Sequence, residues 1–184
     1  MTSSASPVRA RMADLFEWVT DDGTRSSYVE FQRLWRDPEI LSGIGPLLAA
    51  PFAEAAPTVV IGPPSSGHLL GPLVAAEVGA GFGAVVKDPV RLIDSDDWVT
   101  VTTPPDYRDR HLTMGLRRGV VTSADRVLAV DDVADTGSQL LALKRLVEHI
   151  GATWVGSSVV LDLLSLNTTR RELRLQAVFH SREL

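Results

Sequence analysis

An apolar strand, two adjacent carboxylates, a Thr-Gly-Ser turn and an apolar helix follow one another without interruption between Val127 and Ile150. No other stretch constrains the fold as much. Arg126 to Val130 reads as a buried strand, Ser138 to Ile150 as a helix with apolar residues at helical spacing, and Thr153 to Val160 as a second strand. A strand, a crossover helix and a further strand make a β-α-β unit, whose two strands run parallel.

The rest of the chain extends that alternation. Thr58 to Gly62 is a β-branched run, Pro63 to Gly67 a loop, and Leu69 to Val78 a helix ended by Gly79. Phe82 to Val86 and Trp98 to Thr102 read as strands, His111 to Leu116 as the return arm of a hairpin, and Leu175 to Phe179 as an edge strand. The expected fold is α/β, an open and mostly parallel sheet flanked by helices. Residues 1–7 read as a disordered start and residues 8–184 as a single domain, its core over about 38–180. Before the sheet, Met12, Leu15, Phe16 and Val19 predict a helix over Ala10 to Val19, closed by Asp21-Asp22-Gly23. A second helix is expected from Pro38, and Ile44 to Leu48 leads into a third.

Composition narrows the function. With 18 basic against 23 acidic residues the net charge is −5, which disfavours nucleic acid and anionic membranes as partners. The chain has no cysteine, which excludes a disulfide framework and a cysteine-based zinc site. Its four histidines show no metal-ligand spacing. The opening residues lack the apolar segment of a signal peptide, and no apolar run approaches the ~20 residues of a membrane span, so a cytoplasmic protein is expected.

In open α/β sheets ligands lie beyond the carboxyl ends of the strands. Three segments should therefore converge: residues 62–67, 87–91 and 131–138. Asp131 and Asp132 project in different directions. One can meet ligand hydroxyls while the other braces the loop or reaches a metal through water. Thr136, Gly137 and Ser138 offer hydroxyls and backbone N–H groups at a helix start, where geometry and dipole favour a phosphate monoester. Ala134 and Asp135 complete that turn. The bland alternative is a β-α turn with acidic caps.

Residues 127–139 resemble the phosphoribosyl-pyrophosphate (PRPP) motif of type I phosphoribosyltransferases, an apolar strand, two acids, a few variable residues and Thr-Gly-Gly-Thr, with Ser138-Gln139 replacing the last two. Ile44 to Leu48, Val59 to Gly62, Gly67 to Pro72, and Gly79 to Phe82 with Lys87 fall in an order most similar to adenine phosphoribosyltransferases. The resemblance implies that Ala134, Asp135, Thr136, Gly137 and Ser138 grip a 5′-phosphate and that Asp131 and Asp132 address the ribose hydroxyls. It also implies Mg²⁺, held through the pyrophosphate and reaching those two acids through water, with no direct protein ligand. The family's pyrophosphate loop reads acid-small-Arg-Gly; here Pro64-Ser65-Ser66-Gly67 stands in its place, without arginine or acid. Ser65, Ser66, Gly67 and Lys87 are the implied pyrophosphate contacts, and His68 beside them is a candidate donor.

Residues 103–118 carry four arginines in an otherwise acidic chain. By resemblance, about 98–118 form a flexible hairpin hood that closes over PRPP. Tyr107, Arg108 and Arg110 then supply pyrophosphate contacts that the Ser65-Ser66 loop lacks, and Asp106 takes the acid/base place beside the base. Similarity places the base among main-chain groups at Val86-Lys87 and side chains near Leu41 to Ile44, while Trp35, Trp98 and Trp154 read as core.

The implied reaction moves 5-phosphoribosyl from PRPP to a purine or related heterocyclic base and releases pyrophosphate. A homodimer is implied by resemblance alone. Two other readings stay open: a non-catalytic PRPP- or nucleotide-binding regulator, and a phosphoribosyl hydrolase.

Overall fold

The computed structural model describes residues 6–21, 26–89, 97–103 and 112–183. In chain order the elements are α1 (Pro7–Leu15), β1 (Trp18–Asp21), β2 (Ser26–Val29), α2 (Gln32–Arg36), α3 (Pro38–Ala49), a 3-10 helix (Ala50–Ala55), β3 (Val59–Gly62), α4 (Ser66–Val78), β4 (Gly81–Ala84) and β5 (Val86–Lys87). They continue with β6 (Trp98–Thr102), β7 (Thr113–Arg117), β8 (Arg126–Ala134), α5 (Ser138–Ile150), β9 (Thr153–Asp162), α6 (Asn167–Leu173) and β10 (Leu175–His180).

Five strands form one sheet in the order β10-β9-β8-β3-β4, and every neighbouring pair is parallel. Period-2 alternation divides its residues between two cores. Val60, Leu128, Val130 and Val160 face Ile40, Ile44 and Leu48 of α3 and Leu70 and Val74 of α4. Val59, Ile61, Val127, Ala129 and Val159 face Leu140, Leu143, Leu146 and Val147 of α5. Burial on both faces explains why the strands read as unbroken apolar runs. On α5 the buried positions recur at helical spacing, and Gly151 closes the helix with a φ of +84°. Truncating a fully buried leucine such as Leu143 costs about 2–5 kcal/mol.

The strand order fixes where a ligand can enter. β4 pairs on one side of β3, and the chain then returns to place β8 on the other. The crevice between the carboxyl ends of β3 and β8 is thus a topological switch point.

A separate antiparallel sheet, β5-β7-β6, stands beside β4. The expected hairpin has its stem here: Thr102 pairs with Thr113, and Thr103 N–H donates to Leu112 O at 2.8 Å. β7 also pairs with β5, setting Lys87 opposite Met114.

The amino-terminal expectation needs correction. α1 runs from Pro7 to Leu15, and Phe16 is already extended. Val19 lies in β1, paired antiparallel with Tyr28 of β2. Trp18, Val19 and Thr20 are aromatic or β-branched residues that gain more from a strand partner than from continuing a helix. Residues 44–48 likewise begin no third helix. They lie inside α3, whose start is capped by Asp37 accepting from Glu39 N (3.0 Å) and Ile40 N (3.2 Å). Among the described residues no helix is long and apolar enough to cross a membrane.

Candidate active site

Residues 62–67, 131–138 and, of the third predicted segment, Lys87 meet at the crevice between β3 and β8, while residues 90 and 91 lie outside the described residues. α4 begins at Ser66, earlier than the sequence pattern implies, with Ser65 at its cap position. Ser66 and Gly67 therefore form the first helical turn rather than a free loop. That tip is pressed onto β8: a Cβ on Gly67 would lie 2.5 Å from Pro63 Cδ and 2.8 Å from Val130 O. Only glycine admits this approach.

From the other side, β8 continues through the two acids to Ala134 instead of ending before them. Asp131 pairs with Val159, and Ala134 with Asp162. The two carboxylates differ in environment, as strand alternation requires. Asp131 is 7% exposed, and its Oδ1 accepts the Asp132 N–H at 3.0 Å. Burial pushes its carboxyl well above the ordinary range, helped by the charge of Asp132, while the Asp132 N–H and Lys87 oppose the shift. Asp132 is half-buried with one bond to each oxygen: Oδ1 accepts from Val133 N at 2.7 Å, and Oδ2 from Ser66 Oγ at 2.5 Å. Lys87 Nζ reaches Pro64 O at 3.4 Å. One cation thus leans over the Pro63-Pro64 turn and bears on the buried acid of β8.

Beyond Ala134, Asp135 and Thr136 are exposed, and Gly137 adopts φ +77° at the cap position of α5. Thr136 Oγ1 and Ser138 Oγ are 2.9 Å apart, and Ser138 N–H donates to Thr136 Oγ1 at 3.3 Å. The turn gathers two hydroxyls and the first N–H groups of α5, the donor set that favours a phosphate dianion. Next to it, Gln139 Oε1 is buried with no hydrogen-bond partner among the described residues. No group of three or more His, Asp or Glu among the described residues is placed to hold a metal ion. Asp131 and Asp132 offer the hard carboxylate oxygens that a divalent cation takes.

His68 and residues 43–44 have partners elsewhere in the fold. His68 Nε2 lies 2.7 Å from Val85 O, and the His68 ring stands edge-on to Phe82. Ile44 is fully buried, and a Cβ on Gly43 would lie 2.4 Å from Val8 Cγ2, so this part of α3 packs against α1. Asp106, Tyr107, Arg108 and Arg110 lie outside the described residues.

A further set of residues borders the acids. A groove of about 420 Å³ is lined by Tyr28, Phe31 and Trp35 on one side and by Ser65, Ser66, Leu69 and Asp132 on the other. Phe31 and Trp35 stack at 5.7 Å with planes 7° apart. Their four-residue separation and the nearby Tyr28 were the available sequence signal, but aromatic residues at that spacing equally describe a core.

The phosphoribosyl transferase domain model matches residues 33–175. An adenine phosphoribosyltransferase of Solidesulfovibrio magneticus is 30% identical over 140 residues, which is 76% of this chain and 79% of that protein. The crystal structure of adenine phosphoribosyltransferase from Rhodothermus marinus superposes with a TM-score of 0.78 at 25% identity, covering 94% of this chain and 98% of the other. The Trypanosoma brucei adenine phosphoribosyl transferase, solved with AMP, pyrophosphate and ribose-5-phosphate, has a TM-score of 0.73 at 23% identity, covering 98% and 82%.

Proposed function

The chain belongs to the phosphoribosyl transferase family, and from that premise we propose that it transfers 5-phosphoribosyl from PRPP to a purine, adenine first among them, releasing pyrophosphate. One observation carries the reading. Ser66 in the first turn of α4 and Asp132 in β8 touch across the switch point, which supports a pyrophosphate site adjoining a ribose-phosphate site.

In this reading Thr136, Gly137 and Ser138 hold the 5′-phosphate, with the backbone from Ala134 and Asp135 shaping the turn. Asp131 and Asp132 accept the ribose hydroxyls. Ser65, Ser66, Gly67 and Lys87 face the pyrophosphate, joined by Tyr107, Arg108 and Arg110 of the hood. A base nitrogen bonds to C1′ as the C1′–O bond to pyrophosphate breaks, and the leaving group departs with the electron pair. Donors aimed at its oxygens act where negative charge grows. Asp106 takes or returns the proton on the base. Hood closure excludes water, which would otherwise attack the same electron-poor carbon. Mg²⁺, when bound with the pyrophosphate, neutralises part of its charge. The base occupies the groove of Tyr28, Phe31 and Trp35, where an aromatic face suits a planar heterocycle. The Solidesulfovibrio magneticus adenine phosphoribosyltransferase, 30% identical, supports adenine as the first base to try. The proposal extends to a homodimer in the cytoplasm, with sedimentation as the check on assembly.

A second reading has its own support. Serine in place of arginine, and that serine already engaged by Asp132, favour a PRPP-binding regulator with little turnover. Pyrophosphate release from PRPP, measured with a panel of bases, separates these. Base-dependent release means transferase, base-independent release means hydrolase, and binding without release means regulator.

A further inference from the structure

We propose that Asp162 and Arg170 form a positioning pair that sets the phosphate turn from behind; this rests on the assignment of Thr136 to Ser138 to the 5′-phosphate. Asp162 ends β9, is 1% exposed, and stands in register opposite Ala134, the last residue of β8 before the turn. Its neighbour Leu163 donates its N–H to Ala134 O at 2.9 Å. The Asp162 carboxylate holds three groups: Leu164 N–H on Oδ1 at 2.8 Å, and Arg170 Nε at 2.5 Å with His180 Nδ1 at 3.2 Å on Oδ2.

Arg170 extends the clamp. Its guanidinium also donates to Leu164 O and, at 2.7 Å, to Asn167 Oδ1. A planar fork meeting acceptors on β9, on the connecting loop and on α6 fixes all three relative to one another, which a lysine cannot do. The fixed surface is the one under the turn. A Cβ on Gly137 would lie 3.0 Å from Thr169 Cγ2, 3.1 Å from Leu164 Cδ2 and 3.6 Å from Leu173 Cδ1. Gly137, at φ +77°, therefore rests its backbone on side chains from the segment that Asp162 and Arg170 lock. The N–H groups that bind phosphate are aimed by this floor.

The alternative is that the pair merely fastens the last helix and edge strand to the sheet. The two differ in ligand selectivity, because the floor of Thr169, Leu164 and Leu173 supports Gly137, whereas the start of α4 at Gly67 packs on Gly62, Pro63 and Val130. Arg170→Gln and Arg170→Lys are titrated calorimetrically with ribose 5-phosphate and, separately, with inorganic pyrophosphate, and their melting temperatures are recorded. Misplacing a binding group by 1 Å can cost on the order of 100-fold, so a partial loosening in Arg170→Gln should weaken ribose 5-phosphate roughly 10-fold. Pyrophosphate affinity should stay unchanged, and Arg170→Lys should recover part of the loss. A lowered melting temperature with ribose 5-phosphate affinity intact overturns the proposal, as does equal weakening of both ligands. If Arg170→Gln does not fold, Thr169→Ala removes the methyl group beneath Gly137 and leaves the pair in place. Unchanged ribose 5-phosphate affinity there overturns it equally. Failure of the unmodified protein to bind ribose 5-phosphate overturns the phosphate assignment itself, and the positioning role with it.

Discussion

Ser66 Oγ lies 2.5 Å from Asp132 Oδ2, joining the first turn of α4 to β8 across 66 positions of the chain. The serine stands where the family pattern has arginine, and its hydroxyl is spent on the acid proposed to meet ribose. Ser66→Ala should lower stability by about 1.5–3 kcal/mol, the scale of a hydrogen bond to a charged group, and should raise the PRPP KM. Ser66→Arg restores a charge-assisted donor toward pyrophosphate. Calorimetry should find pyrophosphate bound roughly tenfold tighter, in line with about 1.5–3 kcal/mol for such contacts. Weaker pyrophosphate binding in Ser66→Arg would show that the Asp132 latch, not the missing cation, organises the loop.

Asp131 carries a stability cost with a definite sign. Its carboxyl is raised by burial and by Asp132. Below the ordinary carboxylate range the folded and unfolded chains both hold the proton and the site imposes nothing. As pH rises from there through the raised value in the folded protein, the unfolded chain gives up its proton first, so folding loses stability across that window. Asp131→Asn keeps an acceptor for the Asp132 N–H and removes the titration. Its melting temperature should exceed that of the parent at neutral pH, the two should converge in acid, and PRPP binding should weaken. A parallel offset at every pH would sink this account.

Trp35 tests the base groove. Aromatic stacking on a base contributes about 1–3 kcal/mol, so Trp35→Ala should raise the KM for adenine roughly tenfold or more. The PRPP KM should change far less, since Trp35 does not border the phosphate turn. Trp35→Phe keeps a ring beside Phe31 and should recover most of the loss. Steady-state kinetics with each substrate varied in turn decide it; equal effects on both would place Trp35 in packing alone.

How much of this was legible depended on whether local pattern or distant pairing made each element. β8, α5 and β9 could be read from residues 126–160 because burial on both sheet faces leaves an apolar run that only the turn interrupts. The end of β8 was misplaced because Asp131 and Asp132 look like loop residues yet remain in the ladder with β9. The amino-terminal hairpin was hidden for the opposite reason. Met12, Leu15, Phe16 and Val19 keep helical spacing, but Val19 is claimed by Tyr28 across a strand pair. α2 has five residues, too few to show a period, so the stacking of Phe31 on Trp35 beside Ser66 left no signal distinct from a core. Asp162 and Arg170 are eight residues apart and polar, and only the register of β9 with β8 gives them meaning.

Gly67 and Asp125 lie at opposite ends of the central strands, and their variants should separate function from stability. A Cβ at Gly67 meets backbone: Val130 O at 2.8 Å and Gly62 C at 2.9 Å, with Pro63 Cδ nearer still. No side-chain rotation relieves that, so α4 must move away from β8. Gly67→Ala should cost about 1–3 kcal/mol, as overpacking does, and should abolish pyrophosphate binding because the helix tip leaves the crevice. Asp125 accepts from Thr122 N, Thr122 Oγ1 and Thr58 Oγ1, each at 2.8 Å, at the amino ends of β3 and β8. These bonds, the Thr122 N–H first, hold its carboxyl below the ordinary range, so their contribution is present above that range and is lost as pH falls through the lowered value. Asp125→Ala should also destabilise by about 1 kcal/mol or more. Its pyrophosphate and ribose 5-phosphate affinities should match the parent. If Asp125→Ala loses pyrophosphate binding as Gly67→Ala does, the loss follows general destabilisation and the crevice at Gly67 has no special part in it.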